Sequence, residues 1–289
     1  MVALLALVLV TAVWGVTFVQ VKDAVAGYPV FPFLALRFAI ASVALAPPAA
    51  ARLRKLGRDG VVAAAIAGGL LAAGYALQTL GLQRTSVSGA GFVTGMYVVL
   101  TPLLAFAFFR VRVAGAAWGG VVVASAGLAM LAGIHGGSPT GDLLVLGGAA
   151  VYALQIVLME RYAPRYDALA FTLAEMLVAF VVLGLAALPR LTVPHGWTVW
   201  GALLVTGVFA SALAFLVQTW AQRRTSATRT ALLFALEPVW AAIFGFALAG
   251  DRLGALGWGG CAVIMGGIAL AEPAAADALV RVLRRARPA

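Results

Sequence analysis

Glu237 stands in the middle of the apolar run "LLFALEPVWAAIFGF", with a proline directly after it. A carboxyl in such a run is costly to keep, so it marks a pathway for an ion, a proton or a polar substrate. Pro238 has no N–H and frees the carbonyl four residues before it, which permits a kink or a gate. Two further charges interrupt apolar runs, Arg37 and Glu175. The planar fork of an arginine can grip a substrate carboxylate; it can equally serve a structural pair or reach out along its stem to cap a neighbour. Glu175 can carry a proton, or neutralise Arg161 or Arg165.

Polar and aromatic residues in the same apolar runs share helix faces, since residues three or four apart are neighbours. Tyr75, Gln78 and Thr79 make one such face; Phe215 and Gln218 make another, continued by Ser211 and Gln222. Tyr152, Gln155 and Met159 are spaced i, i+3, i+7, as are Thr94, Tyr97 and Thr101; Trp14 aligns with Thr17 and Phe18. Brought together, these faces would form a cavity with aromatic walls and amide and hydroxyl groups. That chemistry suits zwitterionic, amphipathic or aromatic metabolites. The competing use of Gln, Ser and Thr in such helices is to bond one helix to the next, at about 0.6–2 kcal/mol each. That use weighs most at Gln78 and Gln218, near helix ends.

Catalytic constellations are not found. His135 and His195 fall in loops without nearby thiols or carboxylates, a poor basis for a metal site. Cys261 is a lone cysteine in an apolar run, which reads as a buried thiol. Neither a nucleophile with its base, nor a His-Glu-x-x-His motif, nor a glycine-rich phosphate loop is present. No cofactor and no metal is expected, and an intramembrane enzyme is the weaker rival reading. No ring of charges or filter-like loop suggests a channel.

The elements that must position these residues follow from composition. The chain of 289 residues is 64% hydrophobic and 10% charged, against roughly 25% charged in soluble domains. Apolar runs recur at the roughly 20-residue length that a helix needs to cross a bilayer. They are continuous rather than alternating, so helices are expected and not barrel strands. Ten spans are predicted, at 2–21, 31–50, 61–82, 88–109, 114–132, 142–159, 168–188, 199–220, 228–249 and 254–272. No basic residue precedes the first span, so it is expected to stay as a span and not be cleaved as a signal. With the N-terminus placed inside, fifteen Lys and Arg fall in inner segments and four (Lys22, Arg84, Arg190, Arg252) in outer loops. This is the bias of an N-in, C-in protein. The net charge of +10 is therefore an orientation signal and no sign of a nucleic-acid partner; the expected partners are the bilayer and a small-molecule substrate. The basic tail "LVRVLRRARPA" can also meet anionic lipid. Monomer and homodimer both stay open.

The two halves are written alike. "QTLGLQRTS" at Gln78–Ser86 returns as "QTWAQRRTS" at Gln218–Ser226, with five of nine positions matching at an offset of 140. "WGG" at Trp118–Gly120 returns at Trp258–Gly260, again 140 later, and Trp14 and Arg37 meet Tyr152 and Glu175 at an offset of 138. Thr101-Pro102 and Glu237-Pro238 each set a proline in mid-helix. The matching spans lie five apart, and an odd step turns the second half upside down. An all-α membrane protein of ten helices is predicted, built as a 5+5 inverted-topology repeat. The repeats would be residues 1–137 and 138–273, with a basic cytoplasmic tail at 274–289. Such repeats place the site between the halves and suit alternating access.

The sequence resembles the drug/metabolite transporter superfamily, in its ten-helix EamA-type branch. The resemblance is carried by "WGVTF" (14–18), "LRF" (36–38), "GYALQTLGLQRTS" (74–86), "TGMYVVLTPLLA" (94–105) and "ALEPVWAAIFGFALAGDRL" (235–253). It implies a multi-pass inner-membrane secondary carrier, often an exporter of amino acids or other small metabolites, and it puts span two, and so Arg37, outside the cavity. Two departures stand out: Gly250-Asp251 replaces the family's Gly-Glu after span nine, and "FFRVRVAG" lacks the matching acid after span four. The expected substrate-binding residues are Trp14, Tyr75, Gln78, Tyr97, Tyr152, Gln155, Gln218 and Glu237, with Arg37, Glu175 and Glu237 as charge or coupling candidates. An importer or multidrug-type carrier of the same fold is the alternative.

Overall fold

The computed structural model describes residues 2–132, 138–248 and 254–271, and every regular element among them is helical. His135, Gly250, Asp251, Arg252 and the tail 274–289 lie outside the described residues. The helices are α1 (Val2–Gly27), α2 (Val30–Ala49), α3 (Gly57–Leu82), α4 (Val87–Gly95), α5 (Tyr97–Phe109), α6 (Gly115–Ala132) and α7 (Pro139–Tyr162). They continue with α8 (Ala168–Ala187), α9 (Trp197–Val205), α10 (Ala214–Gln222), α11 (Ala227–Phe234), α12 (Leu236–Leu248) and α13 (Ala255–Ala271). Eight helical stretches are long and apolar enough to cross a membrane; Gly115–Leu131 and Ala255–Ala271 are apolar but shorter.

The starts and stops follow local chemistry. Ser86, Asp167 and Ser226 cap α4, α8 and α11 by accepting from Gly89, Ala170 and Arg229 backbone N–H groups, which satisfies donors that a helix start leaves open. Ser86 and Ser226 are the last residues of the repeated phrase. Arg110 ends α5 in the left-handed region.

Two spans are interrupted. The fourth breaks at Met96 between α4 and α5, and the ninth at Ala235 between α11 and α12. The eighth is continuous but widens into a π-helix over Thr206–Leu213 between α9 and α10. No sequence signal announces that widening.

Packing comes in matched sets: α2 against α8, α6 against α13, α3 against α7 with α1 against α9 and α10, and α1 against α12 with α7 against α4 and α5. The α6–α13 seam is a close one. A Cβ on Gly120 would come within 2.6 Å of the Gly267 carbonyl oxygen, and one on Gly260 within 2.7 Å of that of Gly127. Small residues let the two backbones touch where a side chain would hold them apart. Apolar side chains such as Leu9, Val43, Phe106, Val122 and Leu185 are exposed on the outside of the bundle, as expected for a surface that meets hydrocarbon.

Candidate functional site

A single cavity is lined by all eight residues picked out as substrate-binding: Trp14, Tyr75, Gln78, Tyr97, Tyr152, Gln155, Gln218 and Glu237. Its volume is about 60 Å³. α1, α3, α5, α7, α10 and α12 each bring at least one of these residues.

The aromatic wall is a connected set. The Tyr75 ring meets Tyr152 edge-on at 5.5 Å and Phe215 at 6.2 Å; Trp14 meets Phe234 at 4.9 Å and Phe215 at 5.6 Å. Edge-to-face contacts of this kind fix ring orientation as well as bury area. Trp14 also donates from Nε1 to the Ala210 carbonyl at 2.9 Å, inside the π-helix.

Arg37 corrects the expectation that span two lies outside. It is 3% exposed and lines the cavity. Its Nε donates to Ser211 Oγ at 2.7 Å, and its Nη2 to Tyr75 Oη at 3.0 Å and to the Ala210 carbonyl at 3.5 Å. Its guanidinium carbon sits 4.3 Å from the Tyr75 ring centre. It neither reaches out to solvent nor pairs with an acid: among the described residues the ion pair is Arg52 with Asp167, at 3.1 Å. Three neutral acceptors hold the fork in place while its charge stays uncompensated by a carboxylate.

Glu175 is likewise not beside Arg161 or Arg165. It is fully buried, and its Oε1 accepts from Gln155 Nε2 at 2.9 Å while its Oε2 has no partner. Arg161 instead lies 3.8 Å over the Phe109 ring centre. Glu175 does not line the cavity, but it touches it through Gln155.

The amides form two groups. At one end Gln218 Nε2 donates to Gln155 Oε1 at 3.0 Å and Gln222 Oε1 at 2.9 Å, and Gln222 Nε2 donates to the Ile156 carbonyl at 2.9 Å. Nearer the middle, Tyr152 Oη donates to Gln78 Oε1 at 3.1 Å and Gln78 Nε2 donates to Thr94 Oγ1 at 3.0 Å. Both groups bond one helix to another, and Gln78, Gln155 and Gln218 also line the cavity while Gln222 does not.

Glu237 is 6% exposed and sits in the first turn of α12. Tyr97 Oη lies 3.0 Å from its Oε2 and 2.8 Å from the Phe234 carbonyl oxygen. Tyr97 is the first residue after one helix break, and Phe234 is the last of the helix that ends at the other. Sequence reasoning missed the parts played by the Phe234 and Ala210 carbonyls. The first had a signal, because Pro238 stands four residues later.

Among the described residues no cluster of three or more His, Cys, Asp or Glu could hold a metal ion. A bundle of membrane-length apolar helices around a buried polar cavity is the architecture of a multi-pass membrane protein. The model of the EamA-like transporter family matches the chain twice, over residues 1–133 and 139–271. The chain belongs to that family, within the drug/metabolite transporters. An "uncharacterized transporter" of Archaeoglobus fulgidus is 29% identical over 250 residues, covering 86% of this chain and 79% of that one. The "uncharacterized inner membrane transporter YedA" of Escherichia coli K12 is 27% identical over 265 residues, covering 89% of this chain and 86% of that one. Human solute carrier family 35 member F6 is 29% identical over 136 residues, 43% of this chain and 37% of its own length. A solved crystal structure superposes with a TM-score of 0.76 over 92% of this chain and 94% of its own, at 20% identity, which shows a shared fold.

Proposed function

We propose that the chain is a secondary carrier of the cytoplasmic (inner) membrane that exports a small organic metabolite by alternating access, and that the cavity residues bind the substrate. The ten apolar helices are read as ten spans, N-in and C-in, in two inverted repeats of five ending near residues 137 and 273. The inner-membrane placement draws on the likeness to YedA.

The observation that carries this reading is that positions matched by the repeat differ in environment. Val21, Thr79 and Leu82 line the cavity. Their mates in the second half, Met159, Thr219 and Gln222, are packed away from it and buried. Gln218 is bonded to Gln155, whereas their mates Gln78 and Thr17 are not bonded to each other. An amide network thus ties one end of the cavity between α7 and α10, and the matching Gln78–Thr17 bond is not made at the other, where Lys22 and Gln83 instead reach the Thr85 and Val25 carbonyls. In the N-in orientation the tied end is cytoplasmic. Exchanging the two halves' conformations would open the amide end and bring Gln78 to Thr17, which is alternating access. The test compares metabolites in the medium of cells making the wild type or Glu237→Gln at equal membrane levels. A compound class that rises outside only with the wild type supports export. Identical profiles, together with no uptake by the wild type over an empty membrane, would overturn the transport reading of this cavity.

A further inference from the structure

We propose that Glu237 is a proton-binding site that locks the break in the ninth span: protonated, it leaves the Tyr97 hydroxyl to hold the Phe234 carbonyl; ionised, it draws that hydroxyl to itself and releases the carbonyl. The inference rests on the carrier reading and assigns its coupling ion.

The argument is a count of hydrogens. Pro238 supplies no N–H to the Phe234 carbonyl, so this buried acceptor depends on Tyr97. A carbonyl only accepts, so the single hydroxyl proton of Tyr97 points to Phe234. The other neighbour of that oxygen, Glu237 Oε2 at 3.0 Å, then has nothing to accept and must donate. A neutral carboxyl satisfies every atom in the row Glu237–Tyr97–Phe234. An ionised one is the stronger acceptor, so it takes the Tyr97 hydrogen bond and leaves the buried Phe234 carbonyl unpaired.

The charged and titratable surroundings agree. Across the cavity stand Tyr75, Tyr152 and Arg37, and Arg37 is bound to Ser211, Tyr75 and Ala210 rather than to the acid. α1 carries Lys22 and Asp23 two turns beyond the point where Gly15 meets α12; α4 carries no titratable group; α11 carries Arg229 in its first turn; α13 carries Cys261. None of these supplies a counter-charge bonded to Glu237. Position in the first turn of α12 makes the ionised form attainable, because a helix start favours negative charge. Glu237 lines the cavity, so its proton passes to water there; Glu175 is fully buried and does not line this cavity.

Release would be felt across the site. A Cβ on Gly15 would stand 3.0 Å from the Glu237 carbonyl oxygen and 2.6 Å from Trp240 Cβ. α1 therefore lies directly on the break, and it carries Trp14, Thr17, Phe18 and Val21 into the cavity.

The test uses the purified full chain in lipid nanodiscs. Infrared difference spectra between acid and alkaline buffer should show a protonated carboxyl that disappears in Glu237→Gln, persists in Glu175→Gln and shifts in Tyr97→Phe. Amide hydrogen exchange over 232–240 should match between wild type and Glu237→Gln at low pH, since the amide mimics the neutral acid. At high pH the wild type should exchange roughly tenfold faster or more, the cost of one unpaired buried acceptor. No titrating carboxyl lost with Glu237→Gln, or equal exchange at every pH, overturns the inference. Both readouts need no substrate: flux with flat spectra removes only the proton site, and titration without flux removes only the carrier reading.

Discussion

Tyr97→Phe isolates one hydroxyl. The ring stays, so its contact with Phe234 at 6.3 Å is kept and no cavity opens. What is lost is the hydroxyl donor to the Phe234 carbonyl, whose partner four residues on is a proline without an N–H. A buried acceptor left without a donor costs about 1–3 kcal/mol. Each kcal/mol moves the thermal midpoint by roughly 2–4 °C in chains of about this size, so a fall of about 5 °C is expected. Tyr28→Phe is the control: its hydroxyl donates to the Thr192 carbonyl at 2.6 Å, but Thr192 is exposed and water can replace the bond. The assay is unfolding of the purified protein at one fixed scan rate, because membrane proteins often unfold irreversibly. If Tyr97→Phe melts with the wild type, or no lower than Tyr28→Phe, the carbonyl is satisfied some other way and the reasoning about the broken helix fails.

Glu237→Gln and Tyr97→Ala are expected to insert and purify normally yet abolish transport; unchanged flux in both would remove them from the site. Gly15→Ala should push α1 off α12 against Trp240 Cβ and the Ala241 backbone nitrogen, seen as a loss of about 1–3 kcal/mol by overpacking. Gln218→Leu cuts the tied end between Gln155 and Gln222 and should raise labelling, from the cytoplasmic side, of a cysteine placed at the cavity-lining position of Ile156, which leaves both glutamines intact. For Asp167, burial alone would lift the carboxyl, but the Ala170 N–H and the Arg52 guanidinium outweigh it and hold it low. Its stabilisation is complete above the unfolded carboxyl's range and is lost as pH falls through the lowered folded value. Asp167→Asn, which still caps α8, should flatten that acid limb in unfolding followed against pH.

The helices were legible because bilayer length and helix breakers are written locally: apolar runs, then Ser86, Asp167, Ser226 or Pro139 at the starts. The cavity was legible because aromatic and amide residues recur every three or four positions on faces of otherwise apolar runs. Arg37 was misplaced because its surroundings are non-local: Tyr75, Ser211 and Ala210 lie 38, 174 and 173 residues away. Glu175 was assigned to arginines near it in sequence, yet its partner is Gln155 on another helix. The π-helix is invisible for a different reason, since "TGVFASAL" has no residue that forces a widened turn. Its extra room shows only when Trp14 and Arg37 arrive at the Ala210 carbonyl.

The glycine seam between α6 and α13 pairs Gly120 with Gly267 and Gly260 with Gly127. With the halves related as proposed, a half-turn exchanges those two pairs and leaves these glycine contacts unaltered. A contact that is its own image has the same energy whichever face of the membrane the cavity addresses. It can act as a fulcrum but cannot tip the balance. All bias between the two resting states must then reside where the halves have diverged, at pairs such as Thr17 with Gln155 and Arg37 with Glu175. Substitutions in the seam should weaken the whole molecule evenly, and substitutions at the diverged pairs should change which face it prefers.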